Sequence, residues 1–524
     1  MVRTATALPR LLDVLSLLAD DRRVQVTFTY DSGNPARFHA GLREHLEAIQ
    51  ARVIPWRDAT QRRFDLAIAA SENDRLAELD AHVLLLPHGL GFQKYYPRSH
   101  TIAGMDAAQL LDGDRVVPAA IGLSHHAQRH ELDAACPQAL PHATVIGDPC
   151  YDRMLVSRHR TRRYRAALDA QRTTLVLLTS TWGPDSLYAT WPELPERLVG
   201  ELPLDAYTVA LSLHPGVWSA HGPYQVRAWL DHARRCGLRI LPASEGWRAA
   251  LLSADVVIGD EGSLSSYAAA LDKPVMLATR DSATTVPGSL ADALRSRAPA
   301  LDRALPLRTQ LDDTIATYVP GSYRDLAAVT IEYRGESAGV LRDLCYRLME
   351  LDEPDRPSRY PPVPDPEAET SRVASIVAGG RITGTRLAIE RYPSRVDLPD
   401  ATAISLPNQH VTADLDEAHW HELDSATVLH TDHPVEAPGT VAAEQLRRWP
   451  AARAVACGAG DGTCTVAFRD GTSVRVHTAA TPPPDTALLA TAAYLCRVVH
   501  GELPDRQRIE TGPAAAEIEF THLP

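Results

Sequence analysis

Val256–Leu277 reads VVIGDEGSLSSYAAALDKPVML and changes character three times. Val256-Val257-Ile258 is an apolar run short enough for a buried strand. Gly259 to Gly262 is a polar turn, and Ser263 to Leu271 is a small-residue helical stretch. Lys273-Pro274 then opens a second apolar strand. A turn of this kind aims the free N–H groups of a helix start, with the Ser263 hydroxyl, at a place where an anion can sit. Gly262 would let backbone approach that anion. The same letters also describe an ordinary strand–turn–helix in which Ser263 or Asp260 is the N-cap, and spacing alone leaves both open.

The pattern repeats outward. Upstream, Thr174–Leu178 leads into Thr179-Ser180-Thr181-Trp182-Gly183-Pro184. Tyr207–Leu213 leads into His214-Pro215-Gly216, and Leu238–Leu241 precedes Pro242. A similar series occupies the first 155 residues: Val24–Tyr30, a helical Phe38–Gln50, then Phe64–Ala69 and Val83–Leu86. The last of these ends at Pro87-His88-Gly89. Ala119–Leu123 precedes Ser124-His125-His126, and Ala143–Ile146 precedes Gly147-Asp148-Pro149. Short apolar strands with helices between predict parallel sheets covered on both faces, with ligands at the carboxyl ends of the strands. The expected fold class is α/β: two Rossmann-like doubly wound domains, residues 1–156 and 173–352, facing a cleft. A basic stretch from Arg158 to Arg172 connects them, its arginines read as a solvated helix face. Residues 353–370 (EPDRPSRYPPVPDPEAET), rich in Pro and acid, are expected to be an extended linker. Residues 371–524 read as an additional small α+β domain. They carry a hairpin signal around Asp470-Gly471 and a helix at Thr486–His500.

With 524 residues, 45% of them hydrophobic, the chain can bury several cores. Its net charge of −13, from 66 acids against 53 bases, argues against a nucleic-acid or anionic-membrane surface. No apolar run reaches the length of a membrane span. Seven cysteines without a CxxC pair fit a reducing, cytoplasmic setting. The leucine-rich start, interrupted by Asp13, reads as an amphipathic helix rather than a signal peptide. His410, His419, His421, His430 and His433 lack the fixed short spacing of a zinc site, so no metal is expected.

Asp260-x-x-Ser263, the small-residue helix and Leu271-Asp272-Lys273-Pro274 resemble the signature of CDP-glycerol glycerophosphotransferase-type enzymes. They are also similar to UDP-N-acetylglucosamine 2-epimerases, which share the GT-B glycosyltransferase fold. Pro87-His88-Gly89 with Lys94, Thr181-Trp182, Leu213-His214-Pro215 and Gly147-Asp148-Pro149-x-Tyr151-Asp152 resemble further family segments, in order, so the resemblance covers roughly residues 1–350. GDPCYDRM, STWGPDSL and EGWRAALLSADVVIGDEGS are also similar to a group of actinobacterial proteins, which brings no established reaction with it. The resemblance implies a nucleotide-activated donor held between two lobes. Thr181, Trp182, Asp260, Gly262 and Ser263 would hold its phosphates, and Gly89 and Lys94 would contact acceptor or phosphate. The family's ribose-holding acid falls on Tyr267, preceded by Ser266, and a family basic residue falls on Gly183. Lys273 reads as a helix-terminus residue.

Imidazole is matched to removing a proton from an acceptor hydroxyl at neutral pH. His88 is therefore the expected base, with His214 supporting the leaving pyrophosphate. The expected activity is a transferase moving a phosphoalkyl or glycosyl group from CDP-glycerol, a CDP-polyol or a nucleotide sugar to an acceptor hydroxyl. The donor is a substrate and no cofactor is expected; the acceptor is unknown, and homo-oligomerisation is compatible with the reading. A nucleotide-sugar 2-epimerase or hydrolase, and a non-catalytic nucleotide-binding regulatory module, are the alternatives.

Overall fold

A computed structural model describes residues 1–4, 6–31, 41–72, 75–87, 89–96, 99–280, 283–394 and 405–523. The protein is α/β, and among these residues two sheets are wholly parallel. The first contains β1 (Arg63–Ala69), β2 (Asp80–Leu85), β3 (Ala120–Leu123) and β4 (Ala143–Val145), in that spatial order. The second contains β5 (Thr174–Ser180), β6 (Tyr207–Leu213), β7 (Arg239–Ile240), β8 (Val256–Gly259) and β9 (Val275–Leu277), in the order β9-β8-β5-β6-β7.

Strand periodicity explains the layers. Leu175 and Leu177 of β5 enter one apolar cluster with Ala250 and Ala268; Val176 and Leu178 enter another with Leu198 and Leu230. Both faces are dry, which is why these strands read as unbroken apolar runs rather than alternating ones. The first sheet divides likewise: Ile68 and Leu84 pack with Leu8 and Leu341, while Ala69 and Leu85 pack with Leu132. Leu341 belongs to helix Ser337–Leu348, so a helix from beyond the second sheet returns to cover the first.

Three expectations change. Among the described residues Val24–Tyr30 forms no extended strand; Phe28 bridges to Val53, its N–H donating to the Arg52 carbonyl and its carbonyl accepting from Ile54 N–H. Residues 353–370 are extended but docked. Val363 is buried, with its N–H given to Ser157 Oγ and its carbonyl accepting from Tyr164, and Glu369 bridges to Ile240 and pairs with Arg227. The Arg158–Arg172 run serves this packing in part: Arg163 pairs with Asp365, and Arg165 reaches Asp255 and the carbonyls of Thr173 and Ser253, while Arg158, Arg162, Arg163 and Arg172 stay exposed, as a solvated face requires.

The last third also departs from expectation. Among the described residues, nine strands close into a barrel of mixed parallel and antiparallel pairing. They are β10 (Ser375–Thr383), β11 (Arg386–Pro393), β12 (His410–Asp414), β13 (Val428–Thr431), β14 (Ala454–Gly458), β15 (Thr463–Phe468), β16 (Ser473–His477), β17 (Arg506–Thr511) and β18 (Ala514–Leu523). The expected hairpin is β15–β16, turning at Asp470-Gly471. Helix Thr486–His500 packs against strands from around the ring, and Thr486–Ala493 are buried on every side. A helix apolar on all faces needs such an enclosure.

Candidate functional site

The order of the second sheet reverses beside β5. The chain runs outward through β6 and β7, then returns to place β8 on the other side. The carboxyl ends of β5 and β8 therefore flank a topological switch point, where open α/β sheets take ligands. Thr181 and Trp182 follow β5, Asp260 to Ser263 follow β8, and His214 follows β6. One rim thus gathers five sequence-predicted residues of the second sheet and His214.

Their roles differ from expectation in part. Asp260 is buried, and its Oδ2 accepts from Thr181 N–H (2.8 Å), Thr181 Oγ1 (2.7 Å) and Leu187 N–H (3.0 Å). A carboxylate so placed shapes the Thr181 loop through Oδ2, and its negative charge disfavours direct contact with a phosphate. Thr181 spends its hydroxyl on the same bond. Gly262 is required by Thr181 itself, since a β-carbon there would collide with the Thr181 methyl. Glu261 is likewise consumed, accepting from Thr285 Oγ1 (2.6 Å) and pairing with Arg295 (2.7 Å).

Ser263 stands differently. It begins helix Ser263–Ala270 and is half-buried; the first N–H groups of any such helix have no intrahelical acceptor. Trp182 lies with its ring centroid 6.4 Å from that of His214. His214 caps helix Pro215–His221, its Nδ1 accepting from Gly216 N–H at 2.9 Å. That bond fixes the tautomer: the neutral ring carries its proton on Nε2.

The first sheet contributes across the gap. His88 lies outside the described residues. Its neighbour Gly89 faces Ser263 so closely that a β-carbon would sit 2.9 Å from Ser263 Oγ. Beyond it, Leu90 joins the core of the second sheet. Gln93 and Tyr95 exchange backbone hydrogen bonds with Val286 and Thr284 at 2.9 and 2.7 Å. This stitch carries Lys94 to the second-sheet rim. Its side chain is half-buried, and among the described residues its ammonium makes no hydrogen bond or ion pair. Burial pushes its pKa down, opposed by the charges of Asp260, Glu261 and Asp185.

The candidate ribose contacts Ser266 and Tyr267 are corrected. Ser266 is buried and donates to Gln93 Oε1 (3.1 Å) and the Gly262 carbonyl (3.2 Å). Tyr267 is buried, donates to Asp148 Oδ2 at 2.9 Å and contacts Arg10. Arg10 itself forks onto Asp148 with two bonds of 3.0 Å. Beside this cluster, Asp13 accepts from Arg153 (2.7 Å) and Arg248 (2.9 Å), and Arg248 also contacts Glu245. These buried charges from helix Ala7–Leu15 hold the junction of the two sheets. The sequence signal available for them was Arg10 and Asp13 interrupting an otherwise apolar face. Lys273 is structural as expected, its ammonium donating to the carbonyls of Leu252 and Ala254 at 2.9 Å each; burial lowers its pKa to about 8.

Among the described residues, the grouping with metal-compatible spacing is His125, His126 and Glu332. His125 Nδ1 accepts from Ala127 N–H at 3.1 Å, so its neutral ring presents Nε2–H, not a lone pair, toward Glu332. The group reads as a hydrogen-bonded latch: Glu332 also takes His126 N–H and Nδ1, and its own N–H reaches the Ser124 carbonyl. Of the barrel histidines, His419 and His421 stack with ring centroids 5.8 Å apart, and among the described residues none of the five joins a metal-compatible group. His410 and His430 are buried, and His419 caps helix Trp420–Ser425 with Glu422.

No protein-family model and no curated protein matches the chain. Among solved structures, it is similar to a variant of the wall teichoic acid polymerase TagF at 12% identity and a TM-score of 0.46, over 65% of this chain and 85% of that one. It is similar to UDP-GlcNAc 2-epimerase from Neisseria meningitidis at 12% identity and 0.36, over 67% and 98%. A glycosyltransferase from Rickettsia africae gives 10% and 0.36, over 65% and 94%. No helix among the described residues is long and apolar enough to cross a membrane.

Proposed function

We propose that the first two-thirds of the chain is a GT-B-type transferase that uses a nucleotide-activated donor: CDP-glycerol, a CDP-polyol or a nucleotide sugar. The observation carrying this reading is the half-buried Lys94 ammonium, without a partner among the described residues, brought by one sheet to the switch point of the other, beside the start of helix Ser263–Ala270. A desolvated cation and a helix N-terminus sharing one gap supply two sources of positive potential for a diphosphate. Ser263 Oγ–H and the first helix N–H groups bind one phosphate, and Lys94 neutralises the charge. Asp260 orients the Thr181–Trp182 loop without touching the donor.

In the proposed reaction the acceptor hydroxyl loses its proton to His88 as its oxygen bonds to the donor. The donor's bond to the departing nucleotide breaks, and His214 Nε2–H supports the leaving phosphate oxygen. Phosphoalkyl transfer releases CMP; glycosyl transfer releases a nucleoside diphosphate. The reaction as written needs no cofactor besides the donor. An epimerase or hydrolase would need a cleft carboxylate as base; Asp260 Oδ2 and Glu261 are engaged by protein partners, which leaves Asp185, near Lys94, as the carboxylate such a reading would use.

The test is a mass-spectrometric assay with CDP-glycerol, CDP-ribitol and UDP-sugars, with and without added polyol and sugar acceptors. Donor-dependent release of CMP or a nucleoside diphosphate, lost in Ser263→Ala together with Lys94→Met, supports the reading. Turnover undiminished in that double variant overturns the assignment of the phosphate site. Nucleotide binding without any product supports a binding module instead.

A further inference from the structure

A cavity of about 420 Å³ lies at the opposite edge of the second sheet, away from the switch point. It opens at the amino ends of β5, β6 and β7, beside Thr173, Tyr207 and Arg239. The chain segment Thr370–Val373, just ahead of β10, closes its other side. Its volume falls within the roughly 300–1,000 Å³ of small-molecule sites. Much of the wall is apolar, from Leu202, Leu204, Val209 and Val373.

One group in this wall lacks what its chemistry demands. Arg239 Nε is buried and has no hydrogen-bond partner. Its guanidinium donates to the Gly237 carbonyl at 3.2 Å, and its nearest carboxylate is Asp169 at 3.5 Å. Asp169 is 75% exposed, so water screens its charge. Burial lowers the Arg239 pKa, and Asp169 only partly opposes that shift. Arg372, the other cation of the wall, is turned to Asp414 (3.5 Å) and Asp432 of the barrel. The hydroxyls of Thr173 and Thr208 satisfy each other at 2.6 Å. A largely buried cation with an orphaned donor, facing a cavity walled by apolar and polar groups together, is short of an oxyanion.

We propose that this cavity is a second ligand site, distinct from the switch-point rim, for a small molecule bearing one oxyanion on an apolar body. The oxyanion, a carboxylate or a phosphate monoester, accepts from Arg239 Nε and the adjoining guanidinium N–H. The apolar part fills the space between Leu202, Leu204 and Val373. Because Val373 leads directly into the barrel, an occupant contacts both the second sheet and the segment that tethers the barrel to it.

The experiment is isothermal titration of the full chain with phenylacetate, phenyl phosphate, inorganic phosphate and benzyl alcohol. Saturable binding of phenylacetate or phenyl phosphate, tighter than inorganic phosphate or benzyl alcohol, is expected; the tighter of the two names the oxyanion. Arg239→Gln weakens that binding by about tenfold or more, the loss of a charge-assisted hydrogen bond. Asp169→Asn, at an exposed position that leaves folding intact, tightens it roughly two- to tenfold by removing the competing carboxylate. Absence of binding by both aryl anions overturns the proposal, as does affinity unchanged in Arg239→Gln. Should Arg239→Gln fail to fold, unchanged affinity in Asp169→Asn overturns it alone.

Discussion

Replacing Lys94 by methionine keeps the length of the side chain and removes the charge at the switch point. In the free protein this ammonium bonds to nothing among the described residues, and burial disfavours its charged form. Its removal therefore leaves folding stability unchanged or raises it by up to about 1 kcal/mol. With a donor bound, the same ammonium is worth a charge-assisted hydrogen bond. Two unit charges about 4 Å apart interact by roughly 1 kcal/mol in water and 4 kcal/mol at a protein surface. A half-buried position lies between, so we expect a loss of about 2–3 kcal/mol, or roughly 30- to 150-fold in donor affinity. The assay pairs titration calorimetry with CDP against urea unfolding. Lys273→Met is the internal comparison: it strips the Leu252 and Ala254 carbonyls of their donor and costs about 1–3 kcal/mol of stability without changing CDP affinity. A Lys94→Met protein that binds CDP within twofold of the parent, or that loses stability as Lys273→Met does, refutes the reasoning.

Three other outcomes follow from the buried charges. Asp13→Asn takes from Arg248 and Arg153 a shared carboxylate in the sheet junction, leaving Arg248 with Glu245, and lowers the unfolding free energy by about 1.5–3 kcal/mol in urea titration. Tyr267→Phe costs about 1–2 kcal/mol of stability but leaves the donor KM unchanged, because its hydroxyl faces Asp148; a raised KM would restore the ribose role. His410 is buried with its pKa down to about 4, below the ordinary value near 6.5. Its folded-state pKa being depressed, the stability held by the neutral ring is complete above pH 6.5 and is lost as pH falls toward 4. That amounts to about 2 kcal/mol between pH 7 and 5. Denaturation at those two pH values should show a smaller difference in His410→Phe.

The parts of this molecule legible in its sequence are those set by local pattern. Val256–Gly259, Thr174–Ser180 and Tyr207–Leu213 are apolar runs ending in polar turns, and such runs declare buried parallel strands whatever their neighbours. Hence the rim holding Ser263 and His214 is legible in the sequence itself. The order of strands could not, and it is the order that makes that rim a switch point. Pairings across long separations were equally hidden. Tyr267 looked like a substitute for a ribose ligand because nothing local reveals that Arg10 and Asp148 meet its hydroxyl. Asp260 looked like part of an anion turn because its bonds to Thr181 and Leu187 join distant loops. The barrel was missed for a similar reason. Its closure depends on Arg386–Ala388 lying parallel to Arg508–Glu510, and β13 and β14 show no alternation because the enclosed helix and helix Pro438–Arg448 bury both faces.

The most direct test is a crystal structure of the chain soaked with CDP. Diphosphate oxygens are expected within hydrogen-bond distance of Ser263 N–H and Oγ and of Lys94 Nζ, with the His214 ring facing the same phosphates. CDP bound at another place on the protein, or a saturating soak that leaves Gly89 seated against Ser263 with no nucleotide between the sheets, contradicts this expectation.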